Sequence, residues 1–284
     1  MKKTPQQFRD WNNKSITLLG MSGVGKTTLS SLLPASCWFH YSGDYRIGTR
    51  YLDEAILDQV KSIAMQHPFL RKQLCNDSIY IRNNITIDHL NPISDFLGKV
   101  GNPEVGGLSV AEFKRRQALF RQAEIGAMQD VGEFMTRSRD LYGYPHFLND
   151  AGGSICGLGD EECWNHLSEK TLVLYLKADE EMKETLLERA RQYPKPLNYE
   201  DGFLDQHMHE YKAFTGATDE SEIIPDDFVQ WIFPRLFNWR LPQYQDIADR
   251  FGHTADASKI FELRDEQDFI DFVCEAIEQS GCSY

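Results

Sequence analysis

The residues best equipped for chemistry lie near the start of the chain, in Gly20-Met21-Ser22-Gly23-Val24-Gly25-Lys26-Thr27. The spacing is Gly-x4-Gly-Lys-Thr, and each position has a physical use. Glycines let a short loop curl with its amides facing inward, which makes a nest for an anion. A helix that begins at Lys26 aims its positive end at the same point. Lys26 supplies a mobile cation for the outer phosphates of a nucleotide, and the Thr27 hydroxyl suits Mg2+. Gly20, Ser22, Gly23, Val24, Gly25, Lys26, Thr27 and Thr28 are therefore expected to hold the phosphates of a nucleotide such as ATP.

Three later segments add groups of the right type. In Ser42-Gly43-Asp44-Tyr45-Arg46-Ile47-Gly48-Thr49-Arg50, Asp44 can receive the proton of a substrate hydroxyl or hold a Mg2+-bound water. Arg46 and Arg50 can clamp an anionic substrate or the phosphoryl group in transit. The plainer reading makes Asp44 a helix cap and pairs the arginines with Asp53 and Glu54. Asp150 suits the acid that holds Mg2+ or its water, and Gly152 and Gly153 would let a substrate approach the backbone. Arg189 and Arg191 sit on a charged helix ahead of Pro194, where a mobile lid would bring one of them to the transferring phosphoryl. Their alternative is pairing with Glu184 and Glu188 on a solvated helix.

These groups need a scaffold. Ser15 to Leu19 reads as a buried strand, and Lys26 to Leu33 as a helix that stops at Pro34. Cys37 to Tyr41, Tyr144 to Asp150, Lys170 to Leu176 and Lys259 to Leu263 read as four more strands. Residues 83–107, rich in Asn, Pro and Gly, read as a loop. A long helix from about Val110 to Leu141, broken near Gly126 or Gly132, opens on a capping box at Ser109. Asp179 to Gln192 and Asp265 to Gln279 read as amphipathic helices. Strands alternating with helices predict an α/β sandwich with a mostly parallel sheet of about five strands. Residues 51–143 are too long for a plain crossover and are expected to form a helical insertion. That leaves a core in 1–50 and 144–284, with a lid near 180–200.

Composition sets limits. The chain has 284 residues, 30 Lys+Arg, 43 Asp+Glu and a net charge of −13. Such a balance disfavours a nucleic-acid partner, because phosphate backbones select positive surfaces. Lys114, Arg115, Arg116, Arg121, Arg137 and Arg139 give local positive charge, but Glu112, Glu124 and Glu133 stand close in sequence to pair with them. No apolar run approaches a membrane span and no signal segment is visible. Six widely spaced cysteines, with no CxxC pair, read as free thiols of a cytoplasmic protein. Trp231, Phe233, Phe237, Trp239 and Tyr244 are expected in a core or at a contact between subunits, and nothing fixes the oligomeric state.

The order of phosphate loop, Asp44 segment, Gly152-Gly153 loop, and Arg189/Arg191 lid followed by Lys195-Pro196-Leu197 resembles the P-loop kinases of the nucleoside-monophosphate-kinase-like group, in their shikimate and gluconate kinase branch. The segment Trp38 to Leu52 also resembles bacterial proteins described only as ATPases. The resemblance implies a P-loop sandwich, Mg2+-ATP as donor and a small hydroxylated acceptor. Carried over residue by residue, it gives Lys26 and Thr27 the donor phosphates and metal, and Asp44 the acceptor hydroxyl. Gly152 and Gly153 would line the acceptor pocket, and Arg189 or Arg191 would act from the lid. The chain departs from that pattern in its length, in Asp-Ala-Gly-Gly-Ser where three glycines run together, and in a single acid at Asp44; shikimate itself is not the expected acceptor. The expectation is an ATP-dependent phosphotransferase. Its alternative is a nucleotide-dependent switch or regulatory ATPase whose helical insertion binds a partner.

Overall fold

The computed structural model describes residues 2–281, so Cys282 lies outside the described residues. Five strands form one sheet, all parallel: β1 (Ser15–Leu19), β2 (Trp38–Ser42), β3 (His146–Asp150), β4 (Leu172–Lys177) and β5 (Gly252–Asp256), in the order β2-β3-β1-β4-β5. β1 is buried at every position, and β4 at all but its last. Their apolar runs have no polar face because helices cover both sides of a parallel sheet.

α1 (Pro5–Arg9) precedes the sheet and α2 (Lys26–Ser31) joins β1 to β2. Between β2 and β3 come α3 (Gly43–Arg46), a π-helical turn (Ile47–Tyr51), α4 (Asp53–Ala64), α5 (Pro68–Cys75), α6 (Asn91–Leu97), α7 (Val110–Gln129) and α8 (Val131–Asp140). α9 (Glu161–Lys170) leads to β4. α10 (Glu180–Gln192), α11 (Asp201–Thr215) and α12 (Pro225–Phe251) lie between β4 and β5, and α13 (Glu266–Gly281) ends the described chain. The connection leaving β1 steps toward β2, whereas those leaving β2, β3 and β4 step the other way. Right-handed crossovers then put α2 on the face opposite α8, α9 and α12. The chain parts to both faces at the carboxyl end of β1, which opens the crevice where such sheets bind ligands.

Two sequence expectations change. The fifth strand is Gly252–Asp256, and the predicted Lys259–Leu263 falls mostly within a 3-10 turn, Ala257–Glu262. Gly252-His253-Thr254-Ala255 carries no apolar run to reveal it. Position 252 requires glycine, since a Cβ would lie 2.2 Å from the Val173 carbonyl oxygen. Residues 83–107 are not all loop: α6 forms there, with Pro92 in its first turn and Ile93, Phe96 and Leu97 buried. Proline is tolerated at that position because its missing N–H has no helical partner to lose. The long helix breaks at Asp130, two residues before Gly132, as expected.

Residues 51–143 do not stand apart from the sheet. Leu52, Ile56, Phe96, Phe120 and Ala127 join Ile16, Leu18 and Leu174 in one core. A second, outer cluster gathers Phe113, Phe203, Tyr211, Phe228 and Ile232, from α7, α11 and the first half of α12. α12 runs for 27 residues with Pro234 and Pro242 inside it.

Candidate active site

Strand register assembles the site. Asp150, the last residue of β3, is level with Leu18 of β1 on one side and Ser42 of β2 on the other. The loop after β1 and the turn after β2 therefore both start beside Asp150. Gly43 lets them close up, since a Cβ there would meet the Asp150 carbonyl oxygen at 3.2 Å. Ser42, not Asp44, caps α3 by accepting the Tyr45 N–H, which leaves the Asp44 carboxylate free of capping duty.

The Gly20–Thr27 loop is curled as its glycines permit. Gly23 and Gly25 have φ of 91° and 97°, values that favour glycine. Lys26 is buried and its Nζ donates to the carbonyl oxygens of Gly20 at 2.9 Å and Met21 at 3.1 Å. Burial pushes its pKa down, while Asp150 and Asp44 pull it up. Thr27 Oγ1 lies 3.5 Å from Asp150 Oδ2, and His40 Nε2 is 3.9 Å from the same oxygen. Beneath the loop, Asn149 Nδ2 donates to Thr17 Oγ1 at 3.1 Å, and Thr17 shares a 2.8 Å bond with Thr171. This polar tie fixes the ends of the strands that carry Asp150 and the loop.

Asp44 sits among densely packed atoms, yet water reaches it through the open cleft. Desolvation by its surroundings raises its pKa, with Asp150 adding to the rise and Lys26 opposing it. Solvent access moderates the effect. Gly152 lies between two acids, since a Cβ on it would be 3.2 Å from Asp44 Oδ1 and 3.1 Å from Glu124 Oε1. Gly153 touches the phosphate loop, where a Cβ would fall 2.9 Å from the Ser22 nitrogen. Its φ is unexceptional, so substitution there acts through contact alone. Gly153→Ala is expected to strain the loop by about 1–3 kcal/mol and to weaken ATP binding roughly tenfold or more. Calorimetric titration of ATP measures this, and unchanged affinity would show that the two loops move independently.

Glu124, Arg121 and Arg240 were not singled out as site residues by sequence, and the fold brings all three here. Glu124 shares a short hydrogen bond with Ser154. Arg240 Nη1 donates to Gly153 O at 3.2 Å and Nη2 to Asn198 O at 2.7 Å. Tyr244 also donates to Gly153 O, and Arg121 donates to Leu158 O. Beside these groups is a cavity of about 300 Å3 lined by Arg121, Ser154, Asn198, Tyr199, Glu200, Asp201 and Arg240. Arg240 Nε, Asn198 Nδ2 and Tyr199 Oη are buried there without hydrogen-bond partners. Unpaired buried donors of this kind mark a place for a ligand or water. A second cavity, of about 320 Å3, opens beyond Gly23 and is lined by Met182, Arg189, Ser258 and Phe261.

The other predicted arginines are placed differently. Arg46 Nε donates to Asp130 Oδ2 at 2.7 Å, and its guanidinium lies 4.9 Å from the Phe134 ring centre. It is held in that pair and not in the cluster at Gly152. Arg46→Met is expected to cost about 1–3 kcal/mol of stability with little change in turnover, tested by melting and ADP release side by side. Arg50 is exposed on the π-helical turn, with no hydrogen bond or ion pair among the described residues. Arg191 pairs with Glu188 at 3.3 Å, leaving Arg189 as the α10 arginine that faces a cavity. Lys114 pairs with Asp205, Arg115 and Arg116 with Glu112, and Arg137 with Glu133.

The all-parallel sheet and the glycine-rich loop between β1 and α2 define an α/β fold of the P-loop type. A solved structure of shikimate kinase from Bacteroides thetaiotaomicron is similar in arrangement, with 14% sequence identity, 94% of this chain and 93% of that chain covered, and a TM-score of 0.42. No protein-family model matches the chain. No curated protein matches it either. Among the described residues, no helix is long and apolar enough to cross a membrane.

Proposed function

We propose that this protein moves the γ-phosphoryl group of Mg2+-ATP to a hydroxyl of a small acceptor that also carries an anionic group. The observation that carries the reading is the meeting of a phosphate loop with the Asp44 carboxylate across one glycine pair. Gly153 touches Ser22 of the loop, while Gly152 touches Asp44.

The residues fit the donor. Buried Lys26 points into its own loop and is held only by two carbonyl oxygens, bonds a phosphate can replace. Thr27 and Asp150 face each other as a hydroxyl and a carboxylate, oxygen donors of the type Mg2+ takes alongside phosphate and water. The cavity by Arg189 and Phe261 would take the nucleoside, with the exposed Phe261 ring offering a face for the base. When bound, Mg2+-ATP supplies an activated phosphoryl group and the cation that offsets its charge.

The chain's own residues do the rest. The loop amides and Lys26 fix the donor, and Thr27 with Asp150 fix the metal side. Asp44 orients the acceptor hydroxyl and receives its proton. Arg121 and Arg240, whose hydrogen bonds run to neutral carbonyls, face a cavity that Glu200 and Asp201 also line, and would take an anionic group of the acceptor there. Positioning and charge neutralisation then supply most of the acceleration.

ADP release from Mg2+-ATP across a panel of small hydroxy acids, with phosphorus NMR of the products, tests this. A phosphorylated hydroxy acid supports it. The alternative of a switch predicts no such product, and instead a partner whose affinity differs between the ATP and ADP forms. A cavity with unpaired buried donors at its edge favours the phosphotransferase, since a switch has no use for it.

A further inference from the structure

The cavity beside the loop after β3 carries charge of both signs. Its charged lining groups are Arg121 from α7, Arg240 from α12, and Glu200 and Asp201 from the start of α11. Two cations and two anions thus surround about 300 Å3, room for about ten water-sized groups.

These charges do not neutralise one another. Among the described residues, none of the four forms an ion pair. Arg121 donates to Leu158 O, and Arg240 donates to Gly153 O and Asn198 O, all neutral carbonyls. Glu200 accepts the N–H groups of Gly202 and Phe203 in the first turn of α11. Asp201 stands exposed and makes no hydrogen bond among the described residues. Arg240 is the one buried member, 6% exposed, and its Nε and the neighbouring Asn198 Nδ2 are buried without partners. Arg121, Glu200 and Asp201 are exposed at the rim.

The backbone that sets these groups apart is tied down. Gln117 of α7, itself 3% exposed, donates to Leu197 O and accepts the Tyr199 N–H, while Arg240 holds Asn198 O. Residues 197–199 are therefore fixed between α7 and α12, and Glu200 and Asp201 follow at once. Opposite charges that are held apart and unpaired complement a ligand carrying the reverse arrangement. An anion alone would satisfy the arginines but bring its charge up to two carboxylates. A cation alone would leave the buried guanidinium unmatched.

We propose that the acceptor is a zwitterion, a small hydroxylated amino acid whose carboxylate goes to Arg240 and Arg121 and whose ammonium goes to Glu200 and Asp201. The inference rests on the phosphotransferase reading above and narrows its acceptor from hydroxy acids to hydroxy amino acids. An ammonium has three donors to share between two carboxylates, and a carboxylate suits the N–H groups of guanidinium.

The probes are matched pairs that differ only in carrying an ammonium or a hydroxyl beside the carboxylate: L-serine against L-glycerate, and L-homoserine against L-2,4-dihydroxybutyrate. Affinity for each is measured at neutral pH by calorimetric titration of the full-length protein. At least one amino acid is expected to bind about tenfold or more tightly than its hydroxy-acid partner. Asp201→Asn, which breaks no bond in the fold, should cut that preference about threefold or more, and Asp201→Asn with Glu200→Gln should abolish it. Because Glu200 also caps α11, the single Asp201→Asn variant decides should the double variant fail to fold. Equal affinity within both pairs, no binding of either amino acid, or a preference unmoved by Asp201→Asn overturns the proposal. Phosphorylated hydroxy acids without such a preference would overturn it too, and leave the phosphotransferase reading intact. An amino acid bound with that preference and never phosphorylated would remove the phosphotransferase reading and leave the zwitterion site standing.

Discussion

Lys26→Ala is expected to abolish phosphoryl transfer, by at least about 100-fold in turnover, with no loss of folding stability. The loss follows from position. Lys26 is the single cation among the loop residues Gly20–Thr28, and no neighbouring group can replace it where charge accumulates on the outer phosphate. The stability argument runs the other way from most buried residues. Burial lowers the Lys26 pKa, so the folded chain pays for keeping the ammonium charged. A lowered lysine pKa means that the folded state binds this proton less tightly than the unfolded state does. The substitution removes that destabilising contribution, and the Gly20 and Met21 carbonyls it frees lie beside the open phosphate site. A melting curve and an ADP-release assay on one preparation test both halves. Normal transfer by a folded Lys26→Ala protein would refute the mechanism.

Asp44→Asn is expected to lower turnover about 100-fold or more and to leave ATP affinity within about threefold. The carboxylate lies next to Gly152, on the acceptor side of the loop. Its shift also fixes a pH signature. Because its surroundings and Asp150 raise the pKa, the working ionised form is lost as pH falls through a value above the ordinary aspartate range. The acid limb of turnover against pH should therefore lie higher than an exposed aspartate would give, and should vanish in Asp44→Asn. An effect confined to ATP affinity would instead place Asp44 on the donor side.

The donor half of this site was legible because its instructions are local. The glycines, Lys26 and Thr27 lie within eight consecutive residues, between a strand and a helix that each announce themselves. Asp44 and Asp150 were legible for a related reason: each ends, or follows, a short strand, and parallel strands put their carboxyl ends on one edge. The acceptor half was not legible. Glu124 meets Ser154 and Arg121 meets Leu158 because α7 packs against the turn Ile155–Leu158, and Arg240 reaches Gly153 across 87 positions of sequence. No spacing encodes such a meeting. Arg46 shows the converse. It sits near Asp44 in sequence, but its partner Asp130 lies 84 positions away. β5 escaped because an edge strand of Gly, His, Thr and Ala satisfies its backbone without advertising an apolar run.

The long helix α12 has a mechanical consequence. Phe228, Ile232 and Leu236 root it in the outer cluster, Arg240 faces the acceptor cavity, and Tyr244 and Ile247 root it in the main core. Ile232 and Arg240 are separated by about 12 Å of helix rise. Pro234 and Pro242 stand on either side of Arg240, and each removes one backbone donor from the ladder. α12 is thus a beam clamped at both ends and weakened on both sides of its loaded point. Its own hydrogen-bond ladder is therefore thinnest on the stretch where that guanidinium is mounted, and the two clusters at its ends do the bracing.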